Sequence, residues 1–262
     1  EGSKPVSIPC ACSVRGEGPP LFLIHGIGAA RNTWAKLMPI LTPFFTVVTY
    51  DLRGHGESPL PDGEFGLDDL VEDLEYIRQE TGFEKAHFAG HSLGGMIGPA
   101  YARAYPDHVL SLGLLSTAAF RTPDDCAKVM AVVKAMEDRG IPNVLETLTD
   151  RWFTDDFIKN HPDIVRRRLD QVIGTNADVF LNVFRIYATT EMSPWLGEIK
   201  VPSLVLTGEF DGGCPPRLNE EIADALDDAE LVILQDLKHS LLLEAGEIVA
   251  EELKNFVFGL ID

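Results

Sequence analysis

A serine flanked by glycines, between a strand and a helix, is the feature that most constrains the fold of this chain. The run Gly90-His91-Ser92-Leu93-Gly94 follows the strand-like residues 86–89 and precedes the helix-like residues 96–102. This pattern in this position is typical of a sharp, strained turn that lifts the serine oxygen to the carboxyl end of a sheet. The outer glycines are needed because a Cβ there would collide with the neighbouring strand or helix. The turn also directs the N-terminus of the next helix, with its backbone N–H groups, at the serine.

Short apolar runs predict the sheet around this turn. They lie at residues 21–24, 46–50, 86–89, 110–115, 203–206 and 231–234. Because they show no polar alternation, both faces of the sheet must be covered, which requires mostly parallel strands joined by helices. Helical spacing at 67–77 and 248–257 agrees with this, and Val6 to Val14 predicts an edge or hairpin strand. The fold class is therefore α/β, with a doubly wound sheet that collects ligands at the carboxyl ends of its strands.

Residues 120–195 interrupt the alternation of strands and helices. They contain four helical patterns and no strand pattern, and Pro123 and Pro194 stand near the two ends. We therefore expect a core domain of residues 1–119 and 196–262, with a helical cap inserted at 120–195. A cap over the strand ends would exclude water and shape a substrate pocket.

A serine hydroxyl is a weak nucleophile until a base takes its proton, so a histidine and an orienting carboxylate are expected elsewhere. Asp211 follows the apolar run 203–207, and His239 follows the run 231–234. Both then lie on loops at the same sheet edge as Ser92. We predict Ser92 as nucleophile, His239 as general base and Asp211 as orienting acid, with Glu209 and Asp236 as rival acids.

A second loop at this edge is predicted to complete the site. His25-Gly26-Ile27-Gly28 directly follows the apolar run 21–24, and small residues there let the backbone approach a substrate. We predict the backbone N–H groups of Ile27 and Leu93 as oxyanion donors. His25, Gly26, Gly28 and His91 are predicted to contact the substrate. The alternative is that His25-Gly26 only turns the chain.

Three other features allow a structural as well as a functional interpretation. Asp51 to Ser58 follows a strand and resembles an acid–base or metal cluster, but its glycines favour a tight structural loop. Arg166-Arg167-Arg168 could hold a substrate carboxylate or form a solvated helix face. The four cysteines are too few for a disulfide scaffold and lack zinc-ligand spacing, so we expect reduced, structural thiols.

Charge and hydropathy restrict the partners. The formal net charge of −19 disfavours nucleic acids and anionic membranes. No run of about 18 apolar residues predicts a transmembrane helix, and the N-terminus has no apolar signal-peptide core. We expect a cytoplasmic protein that acts on a small-molecule substrate and binds neither nucleic acid nor a membrane. A homodimer is left as an alternative to a monomer.

Taken together, these motifs resemble the α/β-hydrolase superfamily, and the resemblance covers nearly the whole chain. Within it the chain is similar to small capped carboxylesterases and 3-oxoadipate enol-lactonases. The resemblance implies a mostly parallel sheet of about eight strands with an inserted helical cap. It also implies the same roles for Ser92, His239 and Asp211, the same two oxyanion amides, and neither a cofactor nor a metal.

Serine at the turn favours acyl transfer to water, because relatives that cleave halides or epoxides carry an aspartate there. We therefore expect a serine hydrolase that cleaves a carboxylic ester or lactone of a small, partly apolar molecule. The alternatives are a carbon–carbon bond hydrolase of vinylogous diketones, or an amide or thioester hydrolase or a perhydrolase on the same residues. A ligand receptor that keeps these residues is the alternative that is not an enzyme.

Overall fold

The computed structural model describes residues 4–261, and within them it forms one sheet of seven strands covered by helices. The strands are β1 (Cys12–Arg15), β2 (Pro20–Ile24), β3 (Thr46–Tyr50), β4 (Ala86–His91), β5 (Val109–Leu115), β6 (Ser203–Gly208) and β7 (Ala229–Leu234). The helices outside the segment between β5 and β6 are α1 (Met38–Leu41), α2 (Leu67–Thr81), α3 (Gly94–Ala104), α9 (Pro216–Ala225), α10 (Leu241–Glu244) and α11 (Gly246–Ile261). The predicted α/β class is confirmed.

The sheet is mostly parallel, as predicted. Its strand order is β1-β3-β2-β4-β5-β6-β7, and only the β1–β3 pair is antiparallel. Phe22 and Ile24 pack into one apolar cluster, while Leu21 and Leu23 pack into another. Successive residues of β2 thus point to opposite, equally buried faces, which explains the absence of polar alternation. The carboxyl ends of β2, β4, β6 and β7 lie at one edge and carry the loops that form the site.

The chain before β1 departs from the prediction. We expected a strand over Val6 to Val14, but only its last part, from Cys12, pairs in the sheet. The Val6 and Ile8 N–H groups donate to the carboxylates of Asp69 and Asp73 on α2. Because these amides are used on a helix and Pro9 has no N–H to offer, no strand ladder forms there. This segment still contributes one strand, β1, and the sheet of residues 4–261 has seven strands where the resemblance implied about eight.

Between β5 and β6 the chain forms only helices. They are α4 (Pro123–Arg139), α5 (Leu145–Trp152), α6 (Asp155–Asn160), α7 (Pro162–Gly174) and α8 (Ala177–Thr189). The helical patterns predicted the four longer ones, and the short α6 was not predicted. The carboxylate of Glu191 accepts hydrogen bonds from the N–H groups of Phe120, Arg121 and Ser193. This carboxylate ties the chain entering the helical segment to the chain leaving it.

The structure also bears on the expected reduced thiols and on the expected lack of a transmembrane helix. All four thiols are free, and Cys10 and Cys214 are buried, whereas Cys12 and Cys126 are exposed. Cys12 is exposed because it starts the edge strand β1. In the part of the chain that the structure describes, no helix combines the length and the apolar character needed to cross a bilayer.

Candidate active site

The turn after β4 holds Ser92 in left-handed backbone geometry. Its φ is 57°, a region that non-glycine residues rarely adopt, and its N–H donates to the Leu115 carbonyl at 2.8 Å. A Cβ at Gly90 would collide with the Gly94 carbonyl, and a Cβ at Gly94 would collide with the Ile24 carbonyl. The flanking glycines therefore allow β4, α3 and β2 to approach closely enough for the strained turn. Strain of this kind is typical of functional sites.

His239 and Asp211 are in contact. Nδ1 of His239 lies 2.6 Å from Oδ2 of Asp211. The other oxygen of this carboxylate accepts the N–H groups of Gly213 at 3.1 Å and Cys214 at 2.8 Å. Since the carboxylate only accepts, Nδ1 carries a proton, and Nε2 is the ring nitrogen left to accept one. The buried Asp211 thus fixes both the orientation and the tautomer of the imidazole.

The two rival acids do not contact the ring. Glu209 and Asp236 are both exposed, and Oε1 of Glu209 accepts the Asp236 N–H at 3.1 Å. They therefore connect two loops to each other. Of the three carboxylates considered, the structure brings only Asp211 to His239.

A pocket opens at the carboxyl end of the sheet, and both Ser92 and His239 line it. Its empty space of about 550 Å³ includes open solvent at the mouth, so the enclosed part is much smaller. Trp152, Phe184 and Leu243 supply apolar walls. The His239 side chain is 15% exposed, so it faces this sheltered pocket and not bulk solvent.

The loop after β2 lies against Ser92. A Cβ at Gly26 would lie 3.2 Å from the His91 carbonyl oxygen and 3.3 Å from the Cβ of Ser92, a tight contact that glycine avoids. Within residues 4–261, the N–H groups of Ile27 and Leu93 donate to no other protein group. Ile27 lines the pocket, and Leu93 immediately follows Ser92 at the start of α3. Two unused backbone donors thus flank the serine.

The four residues predicted to contact substrate divide into two pairs. Gly26 and His91 line the pocket, whereas His25 and Gly28 are not among its lining residues. His25 is fully buried, and its Nε2 accepts the Leu52 N–H at 2.9 Å. Its Nδ1 must then carry the proton, which it donates to the Gly26 carbonyl at 2.7 Å. His25 therefore supports the loop from behind, because both ring nitrogens are already used within the protein.

Sequence reasoning missed a second histidine that supports the same loop. Nε2 of the buried His55 accepts the Gly28 N–H at 3.0 Å. This contact gives the loop Asp51 to Ser58 a structural role, as predicted. Burial lowers the pKa of His55 to about 4 and holds that of His25 well below its ordinary value, so both rings are neutral at pH 7. The only sequence signal was the histidine inside a glycine-rich loop that follows a strand.

His91 connects the turn to the loop that carries His239. Its Nε2 donates to the His239 backbone carbonyl at 2.9 Å, and the two ring centres lie 4.9 Å apart. Burial, followed by the nearby His239, lowers the pKa of His91 to about 3. The neutral ring therefore helps to place His239 next to the pocket without adding charge to it.

Asp211, Cys214 and His239 also have ligand atoms within 4.8 Å of one another. However, desolvation raises the pKa of the Cys214 thiol far above its ordinary value, and Tyr187 lies 3.1 Å from the sulfur. A protonated thiol is a poor metal ligand, and the Asp211 carboxylate is already used by His239. This donor set does not fit a resident metal.

A family model described as "alpha/beta hydrolase fold" matches residues 19–246 of this chain. The chain is 25% identical to 3-oxoadipate enol-lactonase 2 of Acinetobacter baylyi over 209 residues, which cover 80% of this chain and 78% of that protein.

Solved structures agree with this match. The enol-lactonase from Burkholderia xenovorans LB400 has a TM-score of 0.87 at 25% identity, covering 95% of this chain and 96% of that chain. A malate-bound esterase from Thermogutta terrifontis has a TM-score of 0.86 at 25% identity, covering 95% and 93%. The family match spans most of the chain, and the fold agrees throughout. The chain therefore belongs to the alpha/beta hydrolase fold family and is a hydrolase of that fold.

Proposed function

We propose that this enzyme hydrolyses a carboxylic ester or lactone of a small molecule through an acyl-enzyme intermediate. The observation that carries the proposal is the strained Ser92, which opens into the pocket that His239 also lines while Asp211 holds the imidazole. Acyl transfer to water requires an alcohol nucleophile, an imidazole as its base and a carboxylate that orients the imidazole.

In the first half of the proposed reaction, the Ser92 oxygen attacks the substrate carbonyl while Nε2 of His239 takes the hydroxyl proton. The Asp211 carboxylate stabilises the imidazolium that forms. The backbone N–H groups of Ile27 and Leu93 hold the negative oxygen of the tetrahedral intermediate. Collapse of this intermediate breaks the acyl–oxygen bond, and the leaving alcohol receives the proton from His239.

In the second half, water attacks the acyl-enzyme and gives a proton to His239. The second tetrahedral intermediate uses the same two N–H groups. Its collapse returns the proton to the Ser92 oxygen and releases the carboxylic acid. For a lactone, the alcohol and the acid are parts of one product molecule.

The relatives support an ester or lactone substrate in general terms. The curated relative from Acinetobacter and the Burkholderia structure are named enol-lactonases, and the Thermogutta structure is named an esterase. Identity near 25% supports the bond type better than any particular substrate. Apolar walls beside the polar groups of the pocket are compatible with a small, partly apolar acyl compound.

Replacing the nucleophile tests the proposal directly. Ser92→Ala is expected to lower the turnover of p-nitrophenyl acetate by about 10³-fold or more, because the acyl-enzyme can no longer form. An unchanged unfolding temperature would show that the fold is intact. In the wild type, a fluorophosphonate probe should add its mass to the peptide that contains Ser92.

Ser193→Ala serves as the matched control, since Ser193 does not line the pocket, and it should keep both activity and labelling. Hydrolysis retained by Ser92→Ala would contradict the proposal. A parallel assay with a vinylogous diketone separates the carbon–carbon alternative, because rapid loss of the diketone with negligible esterase activity would reverse the assignment.

A further inference from the structure

Among the described residues that line the pocket, Arg168 on α7 is the one formally charged side chain apart from the proposed base. It lies three residues after Val165 and four before Val172, both of which are buried. Residues at this spacing share one helix face, so packing of the valines turns Arg168 inward. Its neighbours Arg166 and Arg167 are exposed, whereas Arg168 is partly buried.

Contacts hold the Arg168 guanidinium beside the loop after β2. Nη1 donates to the Gly28 carbonyl at 2.7 Å, and Nη2 donates to the Ile27 carbonyl at 2.8 Å. The Trp152 ring centre lies 4.8 Å from the guanidinium carbon. A guanidinium has five N–H groups, so three remain available after these two hydrogen bonds. The group is thus fixed in place and still has donors to offer.

The positive charge of Arg168 has no acidic partner. Among residues 4–261, no aspartate or glutamate forms an ion pair with it, although the chain carries a net charge of −19. The pocket lining likewise contains no carboxylate. Desolvation lowers the pKa of Arg168 to about 10, which leaves the group charged at pH 7. A desolvated cation without a counter-ion is costly, and an anionic ligand would offset that cost.

We propose that Arg168 binds a free carboxylate of the substrate, so that the preferred substrates are small esters or lactones that carry a free, ionised carboxyl group. This inference rests on the proposed ester or lactone hydrolysis. A carboxylate matches the remaining N–H donors of a guanidinium in shape and charge. Arg168 and Ser92 line the same pocket, so a substrate held by its carboxylate can place its ester or lactone carbonyl at Ser92.

Matched substrate pairs test the inference. Monoethyl succinate and ethyl succinamate differ only by carboxylate and carboxamide on the acyl side, and 4-acetoxybenzoate and 4-acetoxybenzamide differ in the same way on the alcohol side. In at least one pair, the wild type should favour the carboxylate by about 10- to 100-fold in kcat/KM, the range expected for a charge-assisted hydrogen bond. The preference should appear mainly in KM.

Variants separate substrate binding from simple support of the loop. In Arg168→Gln the carboxylate preference should disappear, and Arg168→Lys should restore part of it. A merely structural role would lower the rates of both members of a pair equally and leave their ratio unchanged, which would overturn the inference. Arg167→Gln, on the exposed side of α7, should keep the wild-type ratio.

A binding measurement keeps this inference distinct from the proposed function. Succinate should bind to wild type and to Ser92→Ala in calorimetry, and Arg168→Gln should weaken that binding by at least tenfold. If no ester is hydrolysed but succinate binds through Arg168, the hydrolytic proposal fails and the carboxylate site stands. If neutral esters are hydrolysed with no preference in either pair and no succinate binding, the carboxylate site is refuted and the hydrolytic proposal stands.

Discussion

At the scale of single residues, Asp211 shows how a carboxylate can act without touching substrate. Two backbone amides hold one of its oxygens, and the His239 ring occupies the other. The two amides therefore hold the carboxylate independently of its contact with the imidazole. Its proposed task is to keep the proton on Nδ1 and to stabilise the imidazolium when His239 accepts the second proton.

Asp211→Asn tests this role. The amide nitrogen would face Nδ1 as a donor, so the ring would have to adopt the wrong tautomer, and kcat should fall by about 10³- to 10⁴-fold with a much smaller change in KM. The measurement is steady-state kinetics on p-nitrophenyl acetate, with the unfolding temperature as a check on folding. Glu209→Gln, at an exposed carboxylate two residues away, should remain near wild type. A similar loss in both variants would argue against a specific role for Asp211.

At the scale of secondary-structure elements, the connection between the sheet and the helices α4 to α8 depends on a few polar contacts. Glu191 accepts three backbone N–H groups, and the Arg121 side chain donates to the carbonyls of Tyr187 and Ala188 at the end of α8. These contacts hold the two places where the chain passes between the sheet and the helices, and so they help to fix the position of the helices over the pocket. Glu191 therefore connects the architecture to the shape of the site.

Glu191→Ala should lower the free energy of unfolding by about 1–3 kcal/mol, because backbone donors at the crossing lose their acceptor. Chemical denaturation measures this change, and hydrogen exchange should quicken at the amides of Phe120 and Arg121. Glu198→Ala is a matched control, since its ion pair with Arg103 is about half exposed and is worth about 1 kcal/mol or less. Equal losses of stability in Glu191→Ala and Glu198→Ala would contradict a specific role of Glu191 in joining the two ends of the helical segment.

Elements also show where local patterns are insufficient. Residues 6–11 have the mixed polarity of an edge strand, but two carboxylates on α2 take the amides that a ladder needs. The arginine run 166–168, taken alone, is compatible with a solvated helix face as well as with a site for a substrate carboxylate. Packing of Val165 and Val172 decides which of the three arginines turns inward.

At the scale of the whole molecule, buried neutral histidines make folding sensitive to acid. Burial lowers the pKa of His55 and His87 to about 4, and that of His91 to about 3, from an ordinary value of 6.5. Below pH 6.5 the unfolded chain takes up protons at these rings before the folded chain does. The stability that depends on these neutral rings is therefore fully present above about pH 6.5 and is lost as the pH falls toward 4.

A pH series of denaturation curves for wild type and His55→Gln tests this sign. Between pH 7.5 and pH 5, wild type should lose about 2 kcal/mol more stability than His55→Gln, which has no proton to gain at that position. Taking the difference between two proteins removes the effect of the many acidic groups they share. His161→Gln, at an exposed histidine, should follow the wild-type curve. A curve for His55→Gln parallel to wild type would contradict the assignment of a neutral, buried ring.

The sequence by itself determined the strands β2 to β7, the sharp turn at Ser92 and the order in which the polar loops follow their strands. These features are local: apolar runs and glycines act through sterics and burial within a few residues. Only the tertiary structure decided which of three acidic residues meets His239, that His25 and His55 support a loop from behind, and that Arg168 faces the pocket. Each of these depends on contacts between distant segments, such as the bond from Arg168 to Gly28, 140 residues away. Such contacts arise when whole helices pack on the sheet, so no local pattern encodes them.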